Sequence, residues 1–188
     1  MPTLTAFIYS LIITAAIGVA GGALFLYSGL YPIGADVPHN RLTYWILETL
    51  RERSVARAAS DLVVPADLKA SERLLAGGAD YNDMCAACHL KPGESENDLS
   101  QGLYPAPPNL TLSVDDHAHE HEGDSGNDDA LRRQFWIIKH GIKASGMPAW
   151  GYGHDDERIW SLVAFLDRLH ELSPAQYQII TARAGSSE

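Results

Sequence analysis

From Leu4 to Leu30 the chain runs 27 residues without a charged side chain. About 20 apolar residues already span the hydrocarbon of a bilayer. In lipid, backbone N–H and C=O groups must pair within the segment, so a lone span has to be a helix. The surplus length is taken up by tilt. A cleaved secretory leader would open with basic residues and hold only about 7–15 apolar ones. Here no Lys or Arg precedes Arg41 and the run is far longer. Residues 1–31 are therefore expected to stay as a transmembrane anchor, despite a cleavage-like Gly18-Val19-Ala20. Gly18 and Gly22 form a small-xxx-small pair. It reads either as ordinary glycine content or as a docking face for another membrane helix.

Residues 32–66 read as a connecting segment. Tyr27, Tyr31 and Pro32 mark the exit from the apolar run, where amphipathic rings settle at the membrane surface. After Pro38, the spacing of Leu42, Trp45, Ile46 and Leu50 predicts an amphipathic helix over Arg41 to Ala59. Arg41, Arg51, Arg53 and Arg57, against Glu48 and Glu52, make it locally basic in a chain whose formal net charge is -10. Such a helix suits an anionic lipid surface, a partner subunit, or packing on its own domain. Asp61 to Pro65 is expected to be a short linker.

Both cysteines of the chain lie in Cys85-Ala86-Ala87-Cys88-His89. Two thiols three positions apart can each add to a vinyl group of one porphyrin, which leaves the adjoining His89 as the proximal iron ligand. A thioredoxin-like redox pair would need a βαβ pattern around it. A zinc site would need two more cysteines or a His-x3–5-His partner about 12–15 residues further on. Neither is present, so the string reads as an attachment signature for haem c. For a sixth ligand, Met1 starts the chain and Met84 is too close to the first thiol. Met147 remains, between Gly146 and Pro148, on a stiff irregular loop able to present a thioether. Met is a known haem partner of His. The rival is His140, which reads better as a surface or capping group at a helix end.

From about Asp67 to Ser173 the chain resembles a class I cytochrome c domain with one haem. Gly77 and Tyr81 resemble the Gly and aromatic of that family's N-terminal helix. Leu162-Val163-Ala164-Phe165-Leu166 resembles its C-terminal helix, whose aromatic meets that glycine where the two helices cross. Pro107-Pro108-Asn109-Leu110 resembles the loop whose proline carbonyl bonds the proximal histidine. The resemblance implies that Pro108 orients His89 and raises its basicity. It also implies maturation in an oxidising, extracytoplasmic compartment. The haem domain is then expected on the periplasmic side of a bacterial inner membrane, held by a single span.

The fold class expected is mostly α: the transmembrane helix, then haem-wrapping helices over residues 67–173. Helices are expected over Asp67 to Asp83, with Leu68, Leu74, Leu75 and Tyr81 available for burial, and from Asn127 or Asp128 to His140. A third, capped by Asp155 or Asp156, runs from Glu157 to His170. Residues 174–188 start at Pro174 with a short helix and end in a tail. Gly77-Gly78 should weaken the first of these helices. A close crossing explains Gly77 and nothing in the sequence explains Gly78. An insertion over residues 92–129 is acidic: between Lys91 and Arg132 there is no basic residue. It reads as a solvated loop or as a steering surface for a basic soluble redox partner. Within it, alternating His117, His119 and His121 form a candidate site for an extra metal ion.

These readings combine into an electron carrier with one covalent, His/Met-ligated haem c, tethered to the bilayer and not an enzyme, because Met147 closes the iron. The alternative is an obligate electron-transferring subunit of a larger respiratory complex. A haem enzyme or gas sensor would need an open iron. The expected partners are membrane redox proteins or respiratory subunits and the lipid bilayer. The negative charge argues against nucleic acid.

Overall fold

A computed structural model describes residues 3–112 and 127–182, and every regular element among them is helical. The chain divides into two units, Met1–Val37 and Pro38–Glu188.

In the first unit, α1 covers Leu4–Ser28 and ends on Gly29 in the left-handed conformation, φ 67. Its mean hydropathy is 2.0 and none of it is buried. It is long and apolar enough to cross a membrane. Side chains that water would reject stand exposed along its length, among them Phe7, Ile12, Ile17 and Leu26. A Cβ at Gly18 or Gly22 would meet nothing within 4 Å.

The second unit opens with α2, Arg41–Ala59, whose N-terminus is capped by Asn40: the Thr43 N–H donates to its Oδ1 at 3.0 Å. One face of α2 packs on α6, Asn127–His140. Val55 and Ala59 are buried there, and Glu52 pairs with Arg133 of α6. The stripe of Leu42, Trp45, Ile46 and Leu50 lies elsewhere on the helix and is exposed. Thus α2 does pack on its own domain, but through a side turned away from Leu42, Ile46 and Leu50, with Trp45 between the two.

The core is the crossing of α3, Ser71–Met84, with α7, Asp156–Leu169. Asp155 caps α7, accepting from the Arg158 N–H at 2.9 Å. Tyr81, Ile159, Leu162, Val163 and Phe165 are sealed from water at the contact. Its closeness is set by Gly77, where a Cβ would overlap the backbone carbonyl of Ser161. A mid-helix glycine costs about 1 kcal/mol. Burying each large apolar side chain returns about 1.5–3 kcal/mol, so the close crossing wins. Gly78 is explained by the same packing, since a Cβ there would sit 3.1 Å from both the Phe165 ring and Ile180 Cγ2. Ile180 belongs to α8, Pro174–Thr181, started by a Ser173/Gln176 capping box and pinned by Tyr177, whose hydroxyl donates to Asn82 at 3.1 Å. Phe135 of α6 stacks on Trp160 with ring centroids 4.2 Å apart, joining α6 to the same core.

Two expectations need correction. The helix does not start at Asp67: residues 66–69 form a turn and α3 begins at Ser71. Asp67 instead accepts from Arg73 at 3.0 Å, and Arg73 also reaches Glu157 of α7 at 2.7 Å. The carboxylate serves a long-range ion-pair cluster and not the helix interior. Leu75 is 54% exposed, because it lies on the side of α3 turned from α7. Asp80 is nearly buried, and its carboxylate accepts from Arg158 Nε and Nη2 at 2.6 and 2.7 Å. This two-pronged geometry compensates its loss of water.

The two glycines should respond unequally to substitution. Gly77→Ala must push α7's backbone away and should lower stability by about 3 kcal/mol or more. Gly78→Ala only displaces side-chain atoms, with helix propensity in its favour, and should stay within about 1 kcal/mol of the parent. Thermal unfolding of the haem-loaded chain followed by circular dichroism measures both.

Candidate haem site

The chain around the two thiols is a single helical turn. Cys85 ends α3, its N–H donating to Tyr81 O at 2.9 Å, and Ala86–His89 continue as the short helix α4. The N–H groups of Cys88 and His89 both donate to Cys85 O, at 3.0 and 2.9 Å. Positions three apart on such a turn share a face, so Cys85 and Cys88 point to the same side. Burial pushes the Cys85 thiol up to about 12, with the nearby Asp80 and Cys88 adding to the shift. The free thiol is thus kept protonated in the folded chain.

His89 is fixed on two sides. Its ring Nδ1 lies 2.9 Å from the carbonyl of Pro108. A carbonyl only accepts, so Nδ1 carries the hydrogen and Nε2 keeps its lone pair. Burial lowers the histidine's pKa, partly opposed by the Pro108 bond, which favours the neutral ring a metal requires. Behind the ring, His89 O accepts from the Leu110 N–H at 3.3 Å and from the Tyr81 hydroxyl at 3.2 Å. The Tyr81 hydroxyl bonds Leu90 O more closely, at 2.7 Å. This anchors a residue held at φ 70 just where the chain turns out of the helix. Asn97 Nδ2 donates to Ala87 O at 3.0 Å and braces the same turn from outside.

Met147 sits on a loop closed on itself. The Ile142 N–H donates to Met147 O at 3.2 Å, and the Ser145 hydroxyl both donates to Ile142 O at 2.8 Å and accepts from the Met147 N–H at 3.1 Å. Gly141 makes the entry possible. Its φ is +64, and a Cβ would lie 2.7 Å from Met147 O and from the Pro148 carbonyl carbon. Leu103 fills the space beside Gly146. Met147, Cys85, Leu110 and Trp150 are all partly buried against one core.

These groups fit a covalently attached haem. Two thiols share one face, a neutral imidazole keeps one nitrogen available, and a thioether lies on a rigid loop against the same apolar core. His140 is exposed at the end of α6, 4.9 Å from the Trp136 ring. Trp150 packs edge-on to His154, and Tyr104 edge-on to His39, accepting at its hydroxyl from the His39 N–H at 3.0 Å. His117, His119 and His121 lie outside the described residues, as does the most acidic part of the insertion. Nothing in the sequence marks the Tyr81 hydroxyl or Asn97 for this site, whereas Gly141 reads as the glycine closing the helix that ends at His140.

Comparison with known proteins decides the class. Residues 72–166 match the model of the family described as cytochrome c oxidase, cbb3-type, subunit III. The chain belongs to that family. No curated protein and no solved structure matches it. The matched span runs from the first turn of α3 into α7, so it contains Cys85–His89, Pro108 and Met147. A cytochrome c domain of this family carries haem c and transfers electrons, and an apolar helix precedes it here.

Gly141→Ala tests the loop's dependence on one backbone conformation. The left-handed φ and the contact with Met147 O should together cost about 1–3 kcal/mol. Amides of residues 142–147 should exchange with solvent faster than in the parent, while those of α3 and α7 change less. Hydrogen exchange read by mass spectrometry checks this.

Proposed function

We propose that this protein is a membrane-tethered electron carrier with one covalent haem c, held on the periplasmic side of a bacterial inner membrane by residues 1–31. The haem domain is assigned to residues 67–173, with residues 32–66 connecting. Cys85 and Cys88 would attach the porphyrin, and His89 Nε2 and the Met147 thioether would bind its iron. The observation that carries this reading is the Nδ1–H bond from His89 to the Pro108 carbonyl. It aims the ring, fixes the tautomer and leaves one nitrogen for a metal.

When bound, the haem supplies a reversible one-electron couple. The protein's own residues supply position and environment. Pro108 orients His89, and Tyr81 and Leu110 hold its backbone. The self-bonded Ile142–Met147 loop presents a soft, neutral sulfur. Met against His raises the potential relative to two nitrogen ligands. A closed coordination sphere favours electron passage over substrate binding, hence a carrier and not an enzyme.

A second reading has support from the family description, which names an oxidase subunit. On that reading the chain passes electrons inside a fixed assembly of respiratory subunits. Extraction in mild detergent separates the two. Other membrane subunits co-purifying in constant ratio support the assembly, and a chain that runs alone supports the independent carrier.

Met147→Ala tests the ligand assignment. The oxidised parent should show a sulfur-to-iron charge-transfer band, which the variant should lack, and the reduced variant alone should bind CO. The midpoint potential should fall by roughly 100 mV or more, within the wide range that axial ligands control. A variant that keeps the band and the potential of the parent rejects Met147. Intact mass of the purified chain, read against the apo mass, should show the addition of a single haem.

A further inference from the structure

We infer that the outward face of α2 rests on an anionic phospholipid surface, giving the protein a second membrane contact besides its span. This inference rests on the reading of α1 as the anchor. Leu42, Ile46, Leu50, Arg53 and Arg57 follow one another at three- and four-residue steps and so form one row along the helix. Trp45 flanks the row. Leu42 is 64% exposed, Trp45 63%, Ile46 50% and Leu50 64%, and both arginines are exposed as well. The row is therefore apolar toward the N-terminus and cationic toward the C-terminus.

The carboxylates of the helix are kept away from this row. Glu48 and Glu52 lie on the flank that faces α6. Glu48 pairs with Arg51, and Glu52 pairs with both Arg51 and Arg133. Val55 and Ala59 are buried on that same side. A chain of formal net charge -10 thus presents one helix face with no negative charge on it. Apolar side chains and unopposed arginines in one row, with a Trp at its edge, match the boundary of an anionic bilayer, where the rings and alkyl groups enter and the guanidinium groups meet phosphate.

The tether makes the contact accessible at all times. Only residues 29–40 separate α1 from α2, a chain whose full reach is roughly 40 Å. Confinement of that kind gives even a weak lipid contact a high effective concentration. With the span and α2 both engaged, the haem domain is held in one orientation over the membrane.

Hydroxyl-radical footprinting of the full, haem-loaded chain in lipid nanodiscs tests this. One set of discs contains phosphatidylglycerol and the other phosphatidylcholine. Tyr152, 97% exposed and remote from α2 in sequence, serves as the reference side chain. Oxidation of Trp45 relative to Tyr152 should fall about fivefold or more in the anionic discs. The double variant Arg53→Glu, Arg57→Glu should restore it, while keeping the parent's haem spectrum as proof of folding. Equal oxidation of Trp45 in both discs overturns the inference and leaves the anchor intact. Protection that appears only when other membrane subunits are present also overturns it and assigns the face to an acidic protein. Failure of the chain to enter either disc overturns the anchor reading, and the inference with it.

Discussion

Everything in the haem domain depends on the distance at which α3 crosses α7. At Gly77 the two backbones touch, and only a residue without a Cβ permits it. That contact lets Tyr81, Leu162 and Phe165 close over one another. The same Tyr81 then extends its hydroxyl to the carbonyls of His89 and Leu90. A packing constraint between two helices is in this way converted into the position of the histidine that follows the second cysteine. Were α7 to move outward, the hydroxyl would move with its ring, and the turn holding both thiols would lose its inner support.

The site is built from three segments far apart in the chain, each stiffened locally before it meets the others. The thiol turn is fixed by helical bonds from Cys85 O. The Pro108 loop contributes a carbonyl. The methionine loop closes through Ser145 and is admitted by Gly141. None of these needs an ion pair or a buried charge. The charged contacts, Asp80 with Arg158 and Arg73 with Asp67 and Glu157, lie at the margins of the α3–α7 crossing. There they fix the helix register, and Asp80 stands close enough to Cys85 to add to the upward shift of its thiol.

Much of the architecture was legible in the sequence because it is written in local patterns. An uncharged run reads as a span, a three- and four-residue periodicity as α2, and Asp155 as the start of α7. The thiol spacing names the cofactor by itself. What escaped was long-range. Nothing near Asp67 says that Arg73 will reach back to it, and nothing near Gly78 announces Phe165 and Ile180. Leu75 looked like core because it is apolar, yet its exposure is decided by which side of α3 meets α7. The apolar stripe of α2 was visible, but its direction relative to Glu52 and Val55 required the partner helix.

The acceptor for His89 is a peptide carbonyl, and that has a consequence for what the molecule can carry. A carboxylate in that place could draw the Nδ1 proton toward itself as the iron's charge changed, coupling the two. An amide oxygen is far too weak a base to do so. The Met147 thioether has no proton to give. Around neutral pH a haem iron held by these two groups would therefore find their protonation state unchanged by its own oxidation state. Such a site would be wired for electrons and insulated against protons, so its driving force would neither drain nor build a proton gradient across a membrane.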